Sequence, residues 1–295
     1  MRTTLLLLLL LVGCAGDRAG SCALDQVAEL PIRLVGNVPL VAADINGKPA
    51  MLVLDTGADT TLLGQAAAQR LGLQPSGPVV LLQGAGGLAR AFPVQLERVA
   101  LGGAVARDVM ALVGQVPVPP LDGVLGINVL IGYELDLDVP NRRATLYRAR
   151  PCPAAVPPWT ESYTSLAVQQ QPRSGYLFVT AELDGQPLRG VLDTGASLTT
   201  ISIAAARDAG VTAQALQTSP GGRILTMNTG GIEVRSRTFR SLKVGEDELT
   251  APTLLVANLP PGTGDVVVGG DFLATRRVWF SFLTGKVFVA QPRPR

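Results

Sequence analysis

The sequence predicts an all-β protein, mainly β with short helices, built as two similar lobes related by a pseudo-two-fold axis. Three observations lead there. Asp55-Thr56-Gly57-Ala58-Asp59 recurs as Asp193-Thr194-Gly195-Ala196-Ser197, 138 residues later, and the same offset relates Gly47 to Gly185 and Gly72 to Gly210. Short apolar runs alternate with strong turn signals throughout both copies. The 295 residues are 47% hydrophobic and 16% charged with 33 glycines, the balance of a turn-rich globular chain long enough for two cores.

Composition also removes classes of chemistry. The chain has no histidine, so hydrolase schemes that need a histidine base or metal ligand are excluded. Its three cysteines cannot build a Cys-based zinc site once one is committed elsewhere, and no cofactor is expected. A net charge of +2 without a long basic run gives no electrostatic footprint for nucleic acid. If the chain hydrolyses anything, its acid and base are carboxylates.

Met1-Arg2-Thr3-Thr4 and the apolar Leu5 to Val12 form a short positive region and a hydrophobic region too short to span a bilayer, which predicts an export signal over residues 1–13. Leu11-Val12-Gly13-Cys14 resembles a bacterial lipobox, which implies lipidation at Cys14, a membrane anchor and, with Ala15 next, sorting to an outer membrane facing the periplasm. The plainer alternative is a secretory signal cut after Ala15 or Ala19. Residues 14–29 are set aside as a tail. Cys22 and Cys152 then remain in an oxidising setting, where a disulfide between them and two separate thiols are both open.

The first lobe is expected over residues 30–148. Val38 to Ile45 leads into Asn46-Gly47, a type I′ hairpin signal, and Ala50 to Leu54 returns and delivers Asp55 at its end. Thr60 to Leu63 reads as a further short strand, and Gln65 to Leu71 as a helix closed by Gly72. Gly84, Gly86 and Gly87 form a glycine-rich tip between apolar strands, either a simple mobile hairpin or a flap. Leu121 to Leu130 places an apolar pair and Gly126 before a short helix. Glu134 to Val139 and Ala144 to Tyr147 close the lobe as two strands.

Residues 149–160 are proline-rich and read as a linker. The second lobe, residues 161–295, repeats the plan. Leu177 to Leu183, the Asp184-Gly185 turn and Gly190 to Leu192 lead to Asp193, then a helix from Ile203 to Ala209 and Gly210. Its glycine-rich tip contains Asn228, Gly230 and Gly231. Gly264 to Leu273 matches the apolar-Gly element of the first lobe at an offset of 143, so five residues are inserted between. Arg277 to Phe282 and Val287 to Val289 are the closing strands.

An apolar strand ending in Asp-Thr-Gly-Ala, a glycine-rich hairpin and an apolar-apolar-Gly step before a short helix is the element order that resembles the retropepsin-like aspartic proteases. The resemblance runs from about Leu30 to Val289, and the first motif, with Asp59 fifth, is particularly close to the retroviral enzymes. Those enzymes pair two identical subunits, whereas here the lobes are joined in one chain, as in the pepsin-like enzymes. The resemblance implies an aspartic endopeptidase acting on peptide or protein, with Asp55 and Asp193 as the catalytic pair and an intrachain lobe pair in a monomer. It also implies that Thr56 and Thr194 hydrogen-bond across the axis and that Gly57 and Gly195 leave the backbone room beside the carboxylates. Asp59 and Ser197 would contact substrate, and the two glycine-rich tips would be flaps. The alternatives are the same fold without activity, as a peptide-binding lipoprotein, and lobes that pair between chains in a homodimer.

Two departures matter. Neither tip carries the tyrosine of a pepsin-like flap. Ala58 and Ala196 stand where pepsin-like motifs have a hydroxyl residue, which removes donors to the carboxylates and predicts a less acidic optimum than a gastric enzyme's.

Overall fold

The computed structural model describes residues 23–116, 121–149, 156–170, 175–226 and 231–291. Cys14, Cys22, Cys152, Asn228 and Gly230 lie outside the described residues, as does the export signal.

The first lobe runs β1 (Leu24–Pro31), β2 (Arg33–Val35), β3 (Val38–Ile45), β4 (Lys48–Leu54), β5 (Leu62–Gly64), α1 (Gln65–Leu71), β6 (Val80–Gly84), β7 (Gly87–Leu101), β8 (Ala104–Gly114), β9 (Gly123–Leu125), α2 (Ile127–Leu130), β10 (Glu134–Asp138) and β11 (Arg143–Ala149). The second runs β12 (Tyr163–Leu166), β13 (Val168–Gln170), β14 (Leu177–Leu183), β15 (Gln186–Leu192), β16 (Thr200–Ser202), α3 (Ile203–Asp208), α4 (Ala213–Thr218), β17 (Gly221–Ile224), β18 (Ile232–Thr238), β19 (Ser241–Val244), β20 (Asp247–Thr250), β21 (Thr253–Ala257), β22 (Val266–Val268), α5 (Gly270–Leu273), β23 (Arg277–Ser281) and β24 (Lys286–Ala290). The chain is mainly β with short helices, as expected.

Local turn chemistry accounts for most of these boundaries. Asn46 and Gly47 have φ of 51° and 81°, and Asp184 and Gly185 have 53° and 86°, the two positive values that a type I′ hairpin demands. Helix α1 ends where Gly72 turns left-handed at φ 76°, its N–H reaching back to the carbonyls of Ala68 and Gln69. Ser202 and Thr212 cap α3 and α4 through their hydroxyls. Helix α4, absent from the sequence reading, lies within the interval where the repeat offset grows from 138 to 143 residues.

Each lobe carries the same crossing of strands. In the first, β4 pairs parallel with β9, β9 antiparallel with β5, and β5 parallel with β8. In the second, β15, β22, β16 and β21 repeat those three pairings with the same polarity. Strands β4 and β15 therefore sit mid-sheet and end at matched places on the two lobes, Leu54 and Leu192, one residue before each aspartate.

A third sheet joins the lobes in the order β1-β11-β10-β23-β24-β12. Its seam is the antiparallel pair β10–β23, in which Asp136 faces Trp279. Because β1 begins at Leu24, residues 24–29 belong to this sheet and not to a loose tail. An alternating acidic face on β10 is covered, and among its carboxylate oxygens Glu134 Oε1 is buried without a hydrogen-bond partner. Trp279 Nε1 donates to Glu134 at 3.0 Å, Arg277 forks onto Asp136 at 2.6 and 2.9 Å, and Trp159 Nε1 donates to Asp136 at 3.0 Å. Trp159 lies in the linker, so these bonds fasten the connection to the seam between lobes.

Candidate active site

The motif loops leave β4 and β15 and meet over the pseudo-axis. Asp55 N–H donates to the Leu125 carbonyl at 3.1 Å and Asp193 N–H to that of Val268 at 2.9 Å, so each loop starts from its neighbouring parallel strand. Four hydrogen bonds then cross between lobes. Thr56 N–H donates to Thr194 Oγ1 at 2.9 Å and Thr194 N–H to Thr56 Oγ1 at 3.2 Å. The hydroxyl of Thr56 donates to the Leu192 carbonyl at 2.7 Å, and that of Thr194 to the Leu54 carbonyl at 2.5 Å. Both threonines are buried, so each bond is made without competition from water.

This clasp brings the aspartates within hydrogen-bonding reach of each other. Gly57 N–H donates to Asp55 Oδ1 at 2.7 Å, and the N–H groups of Gly195 and Ala196 donate to Asp193 Oδ1 at 2.8 and 3.1 Å. The glycines also work crosswise. A Cβ on Gly57 would overlap the carboxyl of Asp193, and one on Gly195 would overlap that of Asp55. Only glycine lets each loop lie against the opposite acid.

Burial pushes both carboxyls up from their ordinary range, and the charge of Asp193 pushes Asp55 further. Backbone N–H groups oppose the shift at both, from Gly57 and Ala58 on one side and Gly195 and Ala196 on the other. Both carboxyls are raised and within hydrogen-bonding reach, so they titrate as a pair and hold one proton between them over part of the pH range.

Behind the loops lies a second pair of matched networks that the sequence reading missed. Thr61 donates through N–H and hydroxyl to Asn128 Oδ1 at 2.9 and 2.8 Å, while Gly126 N–H donates to the Thr61 hydroxyl at 3.2 Å. Thr199, Asp271 and Gly269 repeat all three at 2.8, 2.7 and 3.1 Å. Overlaying the two copies at offsets of 138 and 143 pairs Thr61 with Thr199 and Asn128 with Asp271, which is the signal that reveals them.

Asp59 and Ser197 are exposed on the far side of the motifs. Each meets a residue of the other lobe: the Ser197 carbonyl accepts from Asn37 Nδ2 at 3.1 Å, and the Asp59 backbone N–H is directed at the hydroxyl of Tyr176. Neither Asn37 nor Tyr176 was singled out from sequence. In the first tip Gly84 pairs with Gly87 across a two-residue turn at Ala85-Gly86, with Gly87 at φ 113°. Leu82 on that hairpin and Ala58 of the first motif pack against the same small apolar cluster. In the second, Ile224 pairs with Ile232, and Gly231 at φ 109° is too close to the Ile224 carbonyl to admit a side chain. Two open depressions elsewhere on the second lobe, one beside Ile203 and Leu216 and one beside Gly210 and Arg240, are lined by neither aspartate.

A search among curated proteins gave no significant match. The family model for aspartyl proteases matches the chain twice, over residues 41–134 and 179–272. Those two matches cover more than half the chain, each spans one motif, and together they make this chain a member of the retropepsin-like aspartyl protease family in a tandem two-lobe arrangement.

Proposed function

We propose that the chain is an aspartic endopeptidase whose single site is shared between its lobes. The observation that carries this reading is the Asp55–Asp193 pair itself, half-buried, within hydrogen-bonding reach and fixed by backbone donors. Like charges about 4 Å apart repel by roughly 4 kcal/mol at an effective dielectric near 20, which keeps one proton in such a pair over a wide pH range. Paired aspartates of this kind are a general example of two carboxyls divided into acid and base by environment.

The reaction follows from that division. The ionised member of the pair takes a proton from a water that attacks the scissile carbonyl carbon, while the protonated member gives its proton to the carbonyl oxygen. The product is a neutral gem-diol with no acyl-enzyme. On collapse the leaving nitrogen takes a proton from the carboxyl that accepted the water's, the C–N bond breaks, and the other carboxylate recovers a proton from a diol hydroxyl. The Thr56 and Thr194 bonds supply the positioning, since a pair held rigidly needs little reorganisation during reaction.

We also propose export and anchoring through a lipid on Cys14 at an outer membrane facing the periplasm, and a monomer with its lobes paired within the chain. The anchor rests on Leu5 to Cys14 in the sequence, and labelling with palmitate tests it: the wild type takes up label and Cys14→Ala does not. The intrachain pair is supported by the β10–β23 seam and the threonine bonds. The activity is tested by mass-spectrometric cleavage of a peptide library with Asp55→Asn as blank. Cuts absent from the blank and blocked by a statine-type inhibitor support the reading. A wild type that leaves the library intact refutes it in favour of a binding protein.

A further inference from the structure

Six positions are common to the two apolar walls beside the dyad, and the first-lobe cluster adds Leu62, Ala91 and Leu112 among others. On the first lobe Leu40, Val53 and Val124 are buried, with Val38, Ala58 and Val116 packed on them half-buried. On the second, Phe178, Val191 and Val267 are buried, with Tyr176, Ala196 and Leu259 on them. The repeat pairs these residues one to one, and Tyr176 packs on the main core as well as on its own cluster. Ala58 and Ala196 follow the glycines that touch the carboxylates, so each cluster flanks the dyad.

The walls are unequal at three positions, at one of which both residues, Val116 and Leu259, are aliphatic. Val38 faces Tyr176 in the repeat and Leu40 faces Phe178, so one wall is aliphatic and the other aromatic. Tyr176 stands edge-on to Phe178 with ring centroids 6.4 Å apart. Gly175 before it, at φ 75°, lies against Ile127 and Ile131 of the first lobe. This carries the phenol across to Asp59, whose N–H meets its oxygen. The reciprocal crossing by Asn37 ends on a backbone carbonyl, and Val38 after it offers no polar atom. Burial and the charges of Asp59 and Asp55 raise the phenol's pKa, which keeps its proton in place as a donor.

We propose that Tyr176 is a positioning residue that makes substrate selection asymmetric. Its ring narrows the second-lobe pocket to small side chains, its hydroxyl offers a donor to the substrate beside Asp59, and the aliphatic first-lobe pocket is left to take a bulky apolar side chain. The substrate class is then a peptide with one large and one small residue around the scissile bond. This rests on the protease reading above and deepens it.

The test compares wild type, Tyr176→Val and Tyr176→Phe on a library varied at the two positions flanking the cut. Tyr176→Val copies the opposite wall, and it is expected to raise kcat/KM at least about tenfold for Leu and Phe at one flanking position, leaving the other unchanged. Tyr176→Phe keeps the ring, so size selection persists while KM rises and kcat holds. If Tyr176→Val does not fold, Val38→Tyr carries the test, by narrowing selection at the other position. Identical cleavage profiles for wild type and either folded wall variant overturn the proposal while leaving the protease reading intact. Binding of the same peptides to Asp55→Asn and to its Tyr176→Val double variant separates the two claims. If the wild type cuts nothing yet the double variant accepts larger residues than Asp55→Asn does, the protease reading fails and the role of Tyr176 stands.

Discussion

Thr56 and Thr194 exchange hydrogen bonds across the lobe boundary, each N–H donating to the other's hydroxyl oxygen at 2.9 and 3.2 Å. Each hydroxyl donates onward to the last residue of the opposite strand, Leu192 or Leu54. The threonines are therefore the joint through which two separately folded loops become one site.

Removing one hydroxyl strands two buried backbone groups on the other lobe. Thr56→Ala and Thr194→Ala are each expected to lose about 2–6 kcal/mol of stability in urea unfolding, since each of the two unsatisfied buried groups costs about 1–3 kcal/mol. Serine keeps the hydroxyl, so Thr56→Ser is expected to recover most of that loss. Equal losses for alanine and serine would mean that the methyl group, and not the bonds, holds the lobes.

Gly57 and Gly195 are expected to fail differently. Gly57→Ala puts a methyl into the carboxyl of Asp193, across the axis, so the dyad must move apart. A displacement of about 1 Å at reacting groups can cost about 100-fold in rate, and kcat/KM is expected to fall at least that far. The measurement is peptide cleavage beside a thermal melt. Full activity in Gly57→Ala would show that the loops do not approach as described.

The pH profile follows from the same pair. The active form holds one proton in the pair, so the rate falls at low pH as the pair takes a second proton and at high pH as it loses its last. Burial raises both, and Asp193's charge raises Asp55 further, so both limbs move to higher pH. The profile of kcat/KM is expected to be bell-shaped with its maximum above about pH 3. A maximum below that would show donors to the carboxylates beyond those from the loop backbones.

How far the sequence discloses this site depends on whether an interaction is local. The turns at Asn46-Gly47 and Asp184-Gly185, the helix Gln65–Leu71 with its glycine stop, and the strands delivering Asp55 and Asp193 follow from neighbouring residues and were legible. The repeat supplied the pairing of lobes. Tyr176 and Asn37 were not legible, because their partners lie on the other lobe and nothing near them in sequence marks a contact. The acidic face of β10 was hidden for a related reason. Glu134-Leu135-Asp136-Leu137-Asp138 alternates like a strand with one face in water, yet Trp159, Arg277 and Trp279 arrive from over 20 residues away to cover it.

Glu134 gives that buried face a pH signature. Burial raises its pKa from the ordinary 4.5, against opposing bonds from Ser281, Trp279 and Leu283. An acid with a raised folded pKa favours the fold most below its unfolded value, and the advantage is lost as pH rises through the folded value. Wild-type stability relative to Glu134→Gln is therefore expected to fall as pH rises from about 4 towards neutrality and then level off, read from urea midpoints across pH. A difference that is constant with pH would mean that Glu134 titrates alike in both states.

The central claim is one shared dyad within one chain, and complementation of single variants tests it most directly. Asp55→Asn and Asp193→Asn should each lose at least about 100-fold in peptide cleavage, and their equimolar mixture should stay inactive, because neither chain holds an intact pair. Cleavage surviving in either single variant, or returning on mixing, would place the working aspartates in different chains and contradict the account.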